Sequence, residues 1–318
     1  MERKKITGFV KDDRIEGFFA VRDRQVRESA RGHFVTVELG DSSGRISAVM
    51  WEPDQFALKE LEAGMVVKVR GVVSEYRNKT QLTIELMRLA LDDQYTLEDI
   101  MPHSIQSYEE RKGRVLALID KIEDVQIRAL TDCFFKDEEF LDSYLNAAAA
   151  KLWHHATIGG LSEHSANVAE LALRVAEQYD FVNYDYLIFG GLMHDIGKIA
   201  SFTTRTVIDY TDEGRLIDHI SLADQWICER ARTIDDFPDR LLMKLRHLIL
   251  SHHGEREYGS PVVPQIAEAF ILNYCDEIDS KMGAFARISD RHDGKGWSDW
   301  VNLISRYLYF GEGDDSET

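Results

Sequence analysis

The chain has 318 residues, 44% hydrophobic and 30% charged, a globular composition long enough for two domains and unlike that of a disordered chain. Its net charge of -18 is unevenly placed: residues 1–92 hold 16 Lys+Arg against 15 Asp+Glu, and residues 93–318 hold 22 against 41. A rear part this acidic argues against a broad electrostatic grip on phosphates, which are normally met by Lys and Arg. No apolar run reaches the length of a membrane span, so no membrane partner and a cytoplasmic location are expected. Cys133, Cys228 and Cys275 lack CxxC spacing, which suggests neither a disulfide framework nor a thiolate metal site.

From Glu16 to Leu91 the pattern is that of strands. FVTVELGDSSGRISAVMW gives two alternating runs around Asp41-Ser42-Ser43-Gly44. GMVVKVRGVVSEYRNKTQLTIELMRL gives two or three more around Arg77-Asn78-Lys79. Five short strands with a helix candidate at Asp54 to Glu62 predict an all-β barrel of OB-fold type over residues 1–92. Such barrels hold single strands on aromatics and a basic groove, for which Phe34, Trp51, Tyr76, Arg45, Arg70, Arg77 and Lys79 are candidates, against a plain role in core or surface. Residues 93–150 read as a linker, broken at Pro102, leading into helices such as Arg111 to Ile122 that pack on the domain C-terminal to them. An all-α domain is expected over residues 151–310. It is interrupted by a hairpin with strands 205–210 and 215–217 around Thr211-Asp212-Glu213-Gly214, and it ends in an acidic tail, residues 311–318.

Within the helical part, extending each apolar stripe by three or four residues repeatedly lands on an ionisable side chain. His164 continues Val168, Leu171 and Val175. His194 continues Leu187 and Gly191, with Asp195 beside it and Lys198 one turn further. His219 continues Leu222 and Trp226; His252, with His253 beside it, continues Leu241, Leu245 and Leu248; and Asp276 continues Ile266, Ala269 and Asn273. A lone core histidine is ordinarily just hydrogen-bonded. Five helices aiming His or Asp inward are different, because burying so many polar groups uncompensated costs several kcal/mol apiece by transfer estimates. Divalent metal offsets that cost, and imidazole mixed with carboxylate suits Mn, Fe, Co, Ni or Zn. Neighbours on a helix point about 100 degrees apart, so His194 and Asp195 serve two ions, with Asp195 as the bridge. The assignment is His164, His194, Asp195 and Asp276 on one metal, and Asp195, His219, His252 and His253 on the other, with Asp279 as rival to Asp276.

The blocks HHATIGGLSEHS (154–165), GLMHDIGKI (191–199), YTDEGRLIDHI (210–220), LILSHHGEREYGSP (248–261) and NYCDEIDSKM (273–282) carry a resemblance. The order H...HD...H...HH...D resembles the HD-domain metal-dependent phosphohydrolases. The fuller blocks, with a barrel ahead of them, are similar to the YhaM-type 3'-to-5' exoribonucleases. Asp218 stands where that family has Gly, and a family Pro is replaced within Ala147 to Ala150.

The resemblance implies single-stranded RNA as substrate, single-stranded DNA as its alternative, and nucleoside 5'-monophosphates as products. Two divalent ions are implied as cofactors, Mn2+ first, with Co2+, Fe2+, Ni2+ or Zn2+ as alternatives. Two such ions activate water and stabilise the attacking and leaving oxygens of an in-line displacement at phosphorus. Lys198 is the candidate for contacting the scissile phosphate, against a plain helix-end role. His154, His155 and Lys281 are candidates for substrate binding, and self-association into a homo-oligomer is an option that would share a weak grip on RNA. The competing readings are a cyclic-dinucleotide or nucleotide phosphodiesterase, with Tyr258-Gly259-Ser260-Pro261 where the HD-GYP class has Gly-Tyr-Pro, and a non-catalytic single-strand-binding module.

Overall fold

The computed structural model describes residues 4–30, 32–77, 79–151, 156–204, 206–289 and 295–312. The chain divides into two compact units, residues 1–103 with 204–209, and residues 104–203 with 210–318.

The first unit is a closed barrel of β1 (Arg14–Ser29), β2 (Gly32–Gly40), β3 (Arg45–Met50), β4 (Val66–Tyr76) and β5 (Lys79–Leu89), in the order β1-β2-β3-β5-β4. Alternation in the sequence decides which face turns inward: Val35, Val37 and Leu39 on β2 and Val67, Val69 and Val73 on β4 fill the interior with Val21, Leu82 and Ile84. β1 is long because it pairs twice, with β4 through Arg14 to Ala20 and with β2 through Ala20 to Ser29. A register shift between Val21 and Asp23 bends it from one partner to the other. β3 and β5 run parallel and close the barrel, so no long sheet edge is left to pair with another chain. The helix expected at Asp54 to Glu62 is one short turn, Phe56–Glu60, with the Asp54 carboxylate accepting from Ala57 N at 2.8 Å. A four-residue helix, α1 (Leu97–Ile100), completes this unit.

The second unit opens with α2 (Tyr108–Ile119), α3 (Val125–Phe135) and α4 (Glu138–Asn146). Helix α2 starts earlier than its apolar spacing indicates, because Ser107 and Glu110 form a reciprocal cap. Asp124 and Asp137 cap α3 and α4 through their carboxylates. Next come α5 (Gly160–Ala176), α6 (Tyr184–Met193) and α7 (Lys198–Ser201); the strand pair β6 (Phe202–Thr204) and β7 (Ile208–Tyr210) follows in the chain, with residues 204–209 belonging to the first unit. Helices α8 (Asp212–Leu216), α9 (His219–Ala231), α10 (Asp239–Ser251) and α11 (Ala267–Ser289) complete the succession.

Three expectations are corrected here. The hairpin lies earlier than predicted, in β6 and β7, and 212–216 is helical. Thr211 accepts from Gly214 N and Asp212 and Glu213 occupy the first turn, so the polar stretch that reads as a turn is a helix start. Nor is the stretch around His194 one continuous helix: α6 ends at Met193 with His194 as its cap, and Asp195 to Gly197 form a turn before α7. The rear of the unit is not helical throughout either, since bridges Trp297 to Tyr309 and Val301 to Arg306 pair the last described residues.

The helical core is continuous from Val115 on α2 to Cys275 on α11, with Leu161, Val168, Leu187, Phe189, Leu192, Leu248 and Leu272 near its middle. The three cysteines are free thiols. No helix among the described residues is long and apolar enough to cross a membrane.

Candidate metal centre

Helices α5, α6, α9, α10 and α11 each deliver at least one ionisable side chain to a common point in this core. His164 sits on the second turn of α5, and Gly191 on α6 allows the approach of that helix, since a Cβ there would come within 2.7 Å of the Ala169 backbone. Gly190 faces Leu272 of α11 in the same way. His194 and Asp195 leave the end of α6, His219 opens α9, His252 and His253 come just after the end of α10, and Asp276 projects from the middle of α11. His164, His194, Asp195 and His252 are at most 1% exposed.

The side chains fall into two groups, His164 with His194 and Asp195, and His219 with His252 and His253. Asp276 joins the first, with Oδ1 3.1 Å from His164 Nε2 and 4.0 Å from His194 Nε2. Asp195 faces both. Its Oδ2 is 3.3 Å from His194 Nε2 and 3.6 Å from His164 Nε2, and its Oδ1 is 3.4 Å from His219 Nε2 and 3.7 Å from His252 Nε2. Separations of this size suit atoms arranged around an ion at about 2.0 to 2.2 Å from each.

All five imidazoles are oriented alike. The Nδ1 of His164 meets Asp279 Oδ2 at 2.7 Å, and those of His194, His252 and His253 meet the carbonyls of Gly191 (3.0 Å), Ile249 (2.7 Å) and Tyr258 (2.9 Å). The Nδ1 of His219 meets Asp218. Each acceptor engages Nδ1 and turns Nε2 inward, the orientation found around bound metals. Asp279, the rival ligand, thus sits behind His164, itself held at 2.9 Å by the Asn167 amide one turn along α5.

The charge states derive from this geometry. Burial pushes the imidazoles of His219 and His252 down, and His253 down to about 4, so all three are neutral. Burial acts the same way on His164, but Asp276 and Asp279 outweigh it and raise its pKa to about 9. Burial would raise the carboxyl of Asp195, but the charges of Lys198 and His194 hold it well below the ordinary range, and the histidines do the same for Asp276.

The fit to metal can be tested on polar atoms that the protein leaves unsatisfied. Asp195 Oδ1, His219 Nε2 and His252 Nε2 are buried and have no hydrogen-bond partner. All three are acceptors, so none can satisfy another, and each costs about 1 to 3 kcal/mol in that state. A cation between them satisfies all three, and this donor set fits divalent metal.

Lys198 lies 2.5 Å from Asp195 Oδ2, on the same carboxylate that both groups share. Lys281 is in an exposed ion pair with Glu277 at 2.5 Å, so the structure does not bring it to the centre. His154 and His155 lie outside the described residues. On the barrel, the rings of Phe34 and Trp51 pack 5.0 Å apart with Trp51 largely exposed, and Arg77 lies over the exposed Tyr76 ring at 5.3 Å.

Sequence reading missed Tyr144, which is fully buried and donates to Leu192 O at 3.0 Å, fixing the end of α6 just before His194. Nothing in its spacing marks it, whereas Asn167 is legible as the residue one turn beyond His164. Asp218 is more telling. It holds φ +70 and ψ 151, a region that strains a non-Gly residue by about 1 to 3 kcal/mol, and its carboxylate accepts from both the backbone N and Nδ1 of His219. Asp218→Gly should therefore raise the melting temperature of the metal-free protein. The same change should weaken Mn2+ binding about tenfold or more. Thermal denaturation in chelator and Mn2+ calorimetry check the two effects; unchanged affinity would remove Asp218 from the positioning of His219.

The HD domain family matches residues 161–281, and the OB-fold nucleic acid binding domain family matches residues 7–90. Among solved structures, the second OB-fold domain of replication protein A from Methanococcus maripaludis is 16% identical, covering 28% of this chain and 99% of that one, with a TM-score of 0.23. PriB from Ralstonia solanacearum is 15% identical, covering 24% and 97%, with a TM-score of 0.22. A replication protein A heterotrimer bound to ssDNA is 19% identical, covering 28% of this chain and 66% of that one, also at 0.22. The chain joins an N-terminal OB-fold barrel to a C-terminal HD domain.

Proposed function

We propose that this protein is a 3'-to-5' exoribonuclease that shortens single-stranded RNA to nucleoside 5'-monophosphates. The observation that carries the phosphodiesterase part is Asp195, whose two oxygens face two separate groups of inward-pointing imidazoles. RNA and polarity rest on the resemblance of the sequence blocks around these residues. The OB-fold supports a single-stranded substrate, with Phe34, Trp51, Tyr76 and Arg77 offering stacking surface.

His164, His194, Asp195 and Asp276 would hold one ion, and Asp195, His219, His252 and His253 the other. When bound, divalent ions supply Lewis-acid charge that activates water and offsets charge on the attacking and leaving oxygens at phosphorus. Asp279, Asp218 and three backbone carbonyls keep the imidazoles in the one tautomer that can bind. Lys198, paired with Asp195, would contact a phosphate oxygen bound beside that carboxylate. The acid excess of residues 93–318 repels RNA away from this point, so the grip is local and strongly salt-dependent.

The assay is incubation of 5'-labelled single-stranded RNA, matching DNA and cyclic di-GMP with the protein, with and without Mn2+. A ladder shortening from the 3' end only with metal is expected; intact RNA beside cleaved cyclic di-GMP would replace this reading with that of a cyclic-dinucleotide phosphodiesterase. Metal should also stabilise the fold. Mn2+ at a hundredfold its Kd contributes about 2.7 kcal/mol per site, so stripping it with EDTA should lower the melting temperature by several degrees in differential scanning calorimetry. An identical transition with and without metal would refute occupancy of the centre.

A further inference from the structure

Beside the second group of histidines lies a cleft of about 440 Å3, within the size range of small-molecule sites. His219, His253, Asp218 and Lys198 contribute to its lining, which ties it to the metal centre. The rest of the lining has a different character. Ala149, Ala150, Phe202 and Tyr210 are apolar or aromatic, and Lys151 adds a second cation. Phe202 is buried and packs against the Tyr210 ring at a centroid distance of 4.7 Å; Tyr210 is 46% exposed, with the Arg215 guanidinium 5.7 Å from its ring centroid. Neither aromatic has any part in holding metal. The β6 and β7 strands that carry them interrupt an otherwise helical succession between the HisAsp pair and His219.

We propose that this cleft seats the terminal nucleoside 5'-monophosphate unit of the substrate, with its phosphate toward Lys198 and the histidines and its base against Tyr210 and Phe202. The assignment deepens the phosphodiesterase reading above and rests on it. The chemistry is complementary at both ends: two ammonium groups and a metal centre suit a phosphate, and an aromatic wall suits the face of a base. Aromatic contact of this kind tolerates any base, as stepwise removal of successive nucleotides requires. No strand cleavage is assigned to these residues. Tyr210 is a positioning residue that secures the end of the chain while the reaction takes place next to it.

The test uses the Mn2+-loaded full chain and two probes, adenosine 5'-monophosphate and inorganic phosphate, titrated by calorimetry. Wild type should bind the nucleotide at least about tenfold more tightly than phosphate. Tyr210→Ala should lose about tenfold for the nucleotide and leave phosphate unchanged, and Tyr210→Phe, which keeps the ring, should bind like wild type. Equal affinity of wild type for both probes would overturn the proposal, as would undiminished nucleotide binding by Tyr210→Ala. Because the readout is binding, it separates the two ideas. Discrimination between the probes without RNA cleavage upholds the subsite and sinks the exoribonuclease; RNA cleavage without discrimination does the reverse.

Discussion

Asp195→Ala is expected to lower the rate of RNA hydrolysis by about a thousandfold or more while the protein stays folded. Among the described residues, Asp195 is the one side chain that faces both groups, with Oδ2 toward His194 and Oδ1 toward His219. Its loss removes an anion from each proposed ion, and the charge stabilisation supplied by such ions is worth several kcal/mol, each 1.36 of which is tenfold in rate. The fold survives because the side chain sits at a turn after α6 and contributes no apolar packing, and because Lys198, its partner, reaches the surface at 12% exposure. Steady-state rates on labelled RNA test the first half, and circular dichroism with a melting curve tests the second. Metal content by mass spectrometry should fall from two ions to one or fewer. Undiminished turnover would refute the bridging role.

Gly197→Ala is expected to destabilise the helical unit and to disable the second group of histidines together. The glycine has an ordinary helical φ of -62, so conformational freedom is not the reason for it. The reason is proximity: a Cβ would lie 2.0 Å from the backbone oxygen of His219 and 2.8 Å from its carbonyl carbon. Backbone cannot rotate aside as a side chain can, so α9 must shift at His219, a proposed ligand. Overpacking of this kind costs about 3 kcal/mol, which for a unit of this size lowers the melting temperature by roughly 6 to 12 °C. Displacing a ligand by about 1 Å costs on the order of a hundredfold in rate. Thermal melting, Mn2+ stoichiometry and turnover should all change, with about one ion retained by the first group. A variant with wild-type melting and two bound ions would show that His219 is not held by this contact.

Lys198 and Tyr144 mark how far side-chain spacing alone carries. The helical period places His194 on the inner face, but α6 stops at Met193, and the reach of Lys198 to Asp195 comes from the turn between α6 and α7. Similarly, the polar run at 211–214 has the composition of a hairpin turn; capping by Thr211 makes it a helix start, a choice between two local solutions that composition does not separate. Tyr144 secures Leu192 across more than forty residues of chain, and no local pattern encodes a contact so distant.

The sequence by itself determined the barrel, through period-two alternation in five runs, and the convergence of His and Asp, through apolar stripes that end on ionisable residues. Both signals are local and repeat at the period of the backbone, so they survive without coordinates. Only the tertiary structure decided which nitrogen of each imidazole faces the centre, because the Nδ1 acceptors include backbone carbonyls, which every residue has and no sequence distinguishes. It likewise decided that Asp276 faces the ligands while Asp279 stands behind His164. Those two carboxylates sit three residues apart on one helix face, and their roles are separated only by where α5 packs against them.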